Sequence, residues 1–154
     1  MNKRMVWVVA GALVGVVAAG PSQSRSEAST GPATITINDR QLAVTRVDLG
    51  ARGTSPGDVE IVRTTLLQRV TRVVIGHGEL VCTFVDTVRS RVCRGTYFLP
   101  KGKLVVGGSI LYRQFYDLAV LGGTGLYDNA RGTLTVTRTH RRPVRDIVVF
   151  RLVG

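Results

Sequence analysis

From Ala33 onward the chain reads as one short apolar run after another, broken by polar and glycine-rich punctuation. Ten runs stand out: Thr34–Ile37, Gln41–Asp48, Val59–Leu66, Val70–Gly76, Glu79–Val85, Arg91–Leu99, Leu104–Leu111, Tyr116–Leu121, Gly132–Thr139 and Asp146–Leu152. Val, Ile, Thr and Leu dominate them, and β-branched side chains fit a pleated backbone. Turn-forming residues lie between: Asn38-Asp39, Gly50 to Gly57, Gly76 to Gly78, Pro100 to Gly102, Gly107-Gly108 and Arg142-Pro143. No stretch carries a helical period. Short strands at this spacing predict an all-β sandwich or barrel.

Two runs alternate with period two. Leu80, Cys82 and Phe84 share one face against Val81, Thr83 and Val85; Val148, Phe150 and Leu152 oppose Ile147, Val149 and Arg151. Both faces are apolar in places, whereas a sandwich core accounts for one apolar face per strand. The pattern therefore leans toward a barrel, with one face on a lumen and the other covered by a neighbouring subunit of a homo-oligomer.

The start of the chain has another character. Asn2, Lys3 and Arg4 precede fifteen uncharged residues from Met5 to Ala19, and small residues follow at Ala18, Ala19 and Gly20. This is the layout of a cleaved export signal over 1–20. The rival reading is a membrane anchor, but a spanning helix needs roughly 20 apolar residues. After cleavage no membrane span is expected. Residues 21–32, Pro21 to Pro32, are Ser, Ala, Gly, Thr and Pro with little else, and are expected to form a flexible linker. The folded domain is then 33–154, large enough to bury a core.

Charge adds a possibility and then limits it. The net charge is +11, and of 21 basic residues 18 are arginine, spread across the domain. Such a surface can bind phosphate backbones or anionic polymers. Scattered arginines on exposed strand faces also keep a sheet protein soluble and protect its edges. With aromatic residues at 6 % of the chain, few rings are available to stack bases, and no specific nucleic acid is expected.

Two cysteines, Cys82 and Cys93, are present. In an exported protein an even count reads as a disulfide. A turn centred between Thr87 and Val88 places the two opposite each other on a hairpin, close enough to bridge. The alternative is a pair of buried free thiols. Two histidines, His77 and His140, do not make a metal site, and no metal is expected.

The segment Leu118 to Thr133 contains Gly122-Gly123-Thr124-Gly125. It lacks the GxGxxG spacing and leads into a strand, so it is not a nucleotide cradle. Its strand–GGTG–aromatic–Ala–Arg–Gly–strand order, carried by Gly122, Gly123, Thr124, Gly125, Tyr127, Ala130, Arg131 and Gly132, resembles the allene oxide cyclase and dirigent families. Asp48-Leu49-Gly50, Ser55-Pro56-Gly57-Asp58, the cysteine pair, Leu99-Pro100 with Gly102, and the glycines near Gly107 extend the likeness across the domain. The resemblance implies an eight-stranded antiparallel barrel of the calycin-like, allene oxide cyclase type. Its lumen would hold an apolar or phenolic small molecule, with cofactor-independent cyclase or isomerase activity. The catalytic carboxylate of the plant cyclases finds no counterpart here. The alternative is a non-catalytic envelope protein that binds anionic polymers through its arginines.

Site candidates follow from the same likeness. Arg131 occupies the position at which dirigent proteins place a pocket arginine, whose planar fork would hold a ligand oxygen. Tyr127, Tyr112 and Tyr116 are the aromatic candidates for ligand contact, though an aromatic stripe equally builds core. A cyclase needs an acid or base inside an apolar cavity. Asp48, Glu60 and Asp117 are the candidates, each equally suited to partner an arginine on an outer face. His77, between two glycines, and His140, in a basic run, are expected in solvent.

Overall fold

The computed structural model describes residues 32–87, 90–111 and 115–153. The expected signal, most of the linker and Tyr112 lie outside the described residues. Eight strands follow in order: β1 (Ala33–Val47), β2 (Val59–Gln68), β3 (Val74–Phe84), β4 (Ser90–Leu99), β5 (Gly102–Leu111), β6 (Phe115–Gly123), β7 (Arg131–Arg141) and β8 (Val144–Val153). Each pairs antiparallel with the next, and β8 pairs back onto β1, closing an eight-stranded barrel. Closure leaves no unpaired sheet edge.

Ten expected runs become eight strands because two turn assignments fail. Asn38-Asp39 lies within β1, where Asp39 faces inward and pairs in register with Leu66 and Asp146. Gly76 and Gly78 lie inside β3, because a side chain there would strike the Phe98 carbonyl or the Tyr97 ring. His77 is an exposed strand residue that stacks on Phe98 at 4.3 Å between centroids. Gly107-Gly108 likewise continues β5.

Since every connection joins neighbouring strands, strand ends gather into two rims. The β1–β2 loop, the β3–β4 turn and the β7–β8 turn form one rim, here the mouth. The β2–β3 loop and the glycine segment after β6 form the other, the base. The base half is filled by Ile37, Leu66, Leu104, Leu134 and Phe150, all at or below 2 % exposure. Tyr97 packs edge-on against Phe150 at 5.2 Å and closes the filled half from above.

Cys82 and Cys93 are direct partners across β3 and β4 and form the expected disulfide. At the mouth, Asp58 fixes the long β1–β2 loop. Its carboxylate accepts the amides of Leu49 at 3.0 Å and Ser55 at 2.8 Å, and the Ser55 hydroxyl at 3.1 Å. Those backbone bonds, Leu49 first, hold its pKa below the usual carboxylate range. At the base, Thr124 and Leu126 donate their amides to the Lys103 and Lys101 carbonyls, which ties the Gly122–Gly125 segment to β5.

Candidate functional site

In a barrel strand, alternate residues face the lumen. On the mouth side of Tyr97 the inward positions are not filled by large apolar groups, and a cavity of about 510 Å³ remains. This is within the usual size range of small-molecule sites. Val62, Leu80, Ile110 and the disulfide-bonded Cys82 supply its apolar wall. Its polar wall comes from three carboxyl groups, three arginines, Tyr97, Tyr116 and Thr64.

The charged groups fall into two sets. Glu60 on β2 is 7 % exposed and is held by Arg46 from β1 at 3.0 Å and by Arg91 from β4. Arg91 is buried to the same degree, while the Arg46 side chain is 59 % exposed and brings the cavity to solvent. The second set is a row across three adjoining strands. Asp39 on β1 pairs in register with Asp146 on β8, and Asp146 pairs with Arg138 on β7. Arg138 holds Asp146 with both arms of its fork, at 3.1 and 3.5 Å.

Asp39 stands apart in this row. It is 4 % exposed and makes no ion pair among the described residues. Burial pushes its pKa up to about 7 from 3.8; nearby Asp146 adds to the rise, while the Thr64 hydroxyl and Arg138 oppose it. Thr64 faces Asp39 without a well-formed hydrogen bond to it or to another group. Burial also raises the pKa of Tyr97 and of Tyr116, so both remain phenols and offer O–H donors. The cavity thus presents neutral donors on one side and a locked carboxylate–guanidinium cluster on the other. Among the described residues no three His, Cys, Asp or Glu side chains gather to hold a metal.

The structure places the sequence candidates apart. Glu60 and Tyr116 line the cavity. Glu60 does partner arginines, but inside the barrel and not on an outer face. Asp117 is exposed, because it lies between the inward-facing Tyr116 and Leu118. Asp48 sits in the mouth loop and accepts the Gly53 amide at 3.3 Å. Arg131 is exposed at the base, with its guanidinium turned back to the Ala130 carbonyl at 3.0 Å. One residue out of phase with the inward series Gly132, Leu134 and Val136, it points away from the lumen. Tyr127 packs against the core at the same base, far along the strands from the cavity. Asp39, Asp146, Arg91 and Arg138 were not singled out from the sequence. Their signal was phase: Asp39 is two residues from Ile37, and Arg138 two from Val136.

No protein-family model matches the chain, and no curated protein sequence does. Solved structures do. The chain is similar to a pyocyanin demethylase, at 24 % identity and a TM-score of 0.66, over 75 % of this chain and 98 % of that one. The Diels–Alderase AbmU from Streptomyces koyangensis matches at 17 % identity and a TM-score of 0.64, over 82 % and 72 % of the two chains. A pterocarpan synthase dirigent protein matches at 14 % identity and 0.61, over 81 % and 98 %. The shared feature is the fold. At 24 % identity and below, these likenesses show the closed β-barrel fold alone.

Proposed function

We propose that this chain is an exported barrel protein that binds an oxygen-bearing apolar or phenolic molecule in its mouth-side cavity and directs its ring closure or isomerisation. The observation that carries this reading is the cavity itself: an apolar wall facing a buried row of phenols, carboxyls and guanidinium groups. Such a site holds a flexible substrate in one folded geometry, which lowers the entropic part of a ring-closing barrier. Buried donors then act on a ligand oxygen in a medium where they are stronger than in water. The similar solved structures include proteins described as Diels–Alderases and a dirigent synthase, which agrees with this use of the barrel.

Export by a signal over 1–20, with a linker over 21–32, is part of the proposal. The formed Cys82–Cys93 bond agrees with an oxidising compartment. Among the described residues no helix is long and apolar enough to cross a membrane.

The test is displacement of an environment-sensitive hydrophobic dye by a panel of fatty acids, phenols and conjugated ketones. Saturable binding with one site per chain is expected, weakened by Ile110→Trp, which fills the cavity. Absence of saturable binding by every member of the panel would overturn the proposal.

A further inference from the structure

Asp39 is the cavity's least explained group. Glu60 and Asp146 each have arginines to hold them, but Asp39 is placed in register beside a second carboxylate, deep in the lumen. A carboxylate there gains little and repels its neighbour. The Asp146 carboxylate is already engaged by the Arg138 fork, so of the two acids Asp39 is the one suited to hold a proton. The groups facing it are Thr64 from β2, Asp146 from β8, Arg138 from β7, Tyr97 from β4 and Tyr116 from β6. Thr64, at 6 % exposure and without a well-formed bond, leaves hydrogen-bonding capacity beside Asp39 for a guest to use.

We propose that Asp39 is a hydrogen-bond-donating acid of the site, held protonated by its burial and by the neighbouring Asp146 carboxylate, and that it selects ligands carrying a neutral carbonyl-type oxygen. This rests on the reading of the cavity as a ligand site and narrows its substrate class to ketones, enones and quinone-like molecules. A carbonyl oxygen accepts the Asp39 proton in a hydrogen bond; the proton stays on Asp39 during binding. A carboxylate ligand would instead set a second negative charge beside Asp146. Polarising a carbonyl in this way activates a conjugated ligand toward ring closure at the adjoining carbons.

The pH dependence of this binding follows from the group that must keep its proton. The neutral ketone dye Prodan should bind tightly below about pH 7, its affinity falling above that value by about threefold to tenfold in all, as the donor is lost. The hydrocarbon anthracene, without an acceptor, should bind with no such dependence. Asp39→Asn, which keeps a donor that does not titrate, should bind Prodan at every pH about as the parent does in acid. Asp39→Leu should weaken Prodan about threefold to tenfold and leave anthracene unchanged. Bound Prodan should emit at longer wavelength in the parent in acid than in Asp39→Leu, because its ketone accepts a hydrogen bond there. Prodan affinity that ignores pH in the parent, or survives Asp39→Leu intact, would overturn the assignment of Asp39 while anthracene binding upheld the site. If neither dye binds, the cavity reading fails with it.

Discussion

Arg91 on β4 reaches past β3 to the carboxylate of Glu60 on β2, and both side chains are about nine-tenths buried. Arg46 engages the same carboxylate from β1, so one acid links three walls of the mouth half. Removing one partner of a buried pair leaves an uncompensated charge, at a cost of about 3–5 kcal/mol. Glu60→Gln should destabilise the domain on that scale, and Glu60→Gln with Arg91→Met should recover much of the loss. The Arg63–Glu79 pair, 3.8 Å apart and well exposed, is the internal control, and Glu79→Gln should cost less than about 1 kcal/mol. Urea denaturation of the three variants decides it. Equal losses for Glu60→Gln and Glu79→Gln would show that the lumen screens charge as the surface does.

The glycine segment at the base carries a separate expectation. Gly125 has φ +67°, and a side chain there would also meet the Lys101 carbonyl at 2.5 Å. At Gly123 the constraint is space: a Cβ would run into the Tyr127 and Lys103 carbonyls. Gly123→Val and Gly125→Val should therefore both lower the melting temperature. At Gly125 asparagine should rescue little, because it tolerates left-handed backbone but still carries the Cβ that strikes Lys101. A Gly125→Asn protein that melts like the parent would leave backbone conformation as the sole constraint.

Much of the fold was legible in the sequence, and the reason is period two. Cys82 with Phe84, and Val148 with Phe150, announce their shared face whatever the neighbouring strands do. The opposition of Cys82 and Cys93 followed from hairpin symmetry alone. The site was less legible, because a polar residue in a strand looks the same whether it faces a lumen or solvent. Asn38-Asp39 carries a turn signature, yet cross-strand pairing with β2 and β8 overrides it and turns Asp39 inward. The family likeness drew attention to Arg131 and the Gly122–Gly125 segment, which build the base of the barrel. The cavity lies at the other end, where arginines and acids from five strands converge, and no local motif records such a convergence.

That separation of base and mouth gives a direct comparison between two arginines. Arg131 is exposed on the outer face at the base, whereas Arg46 stands at the opening of the cavity. Arg131→Ala should leave ligand affinity unchanged for neutral and anionic ligands alike. Arg46→Ala removes a positive charge from the entrance, and anionic ligands should associate more slowly, with the difference fading at high salt. Stopped-flow dye binding at two ionic strengths reads both. A loss of affinity in Arg131→Ala larger than in Arg46→Ala would place the site at the base.

Asp39 makes a prediction for stability that is independent of any ligand. Its pKa is 3.8 when unfolded and about 7 when folded, so the folded state holds its proton over a range in which the unfolded chain has lost it. Stability rises with pH where the unfolded state binds more protons, and here the folded state binds more. The sign is therefore negative. The Asp39 contribution is complete below about pH 4, declines by about 1.4 kcal/mol per pH unit, and is gone above about pH 7. Asp39→Asn does not titrate and should lack this decline. Plotted against pH, the stability of Asp39→Asn minus that of the parent should climb between about pH 4 and pH 7 and be flat on either side. Urea unfolding followed by circular dichroism at closely spaced pH values gives the difference curve, and the subtraction removes groups common to both proteins, Asp58 among them. A flat difference across that window would show that Asp39 ionises in the folded barrel as it does in the unfolded chain.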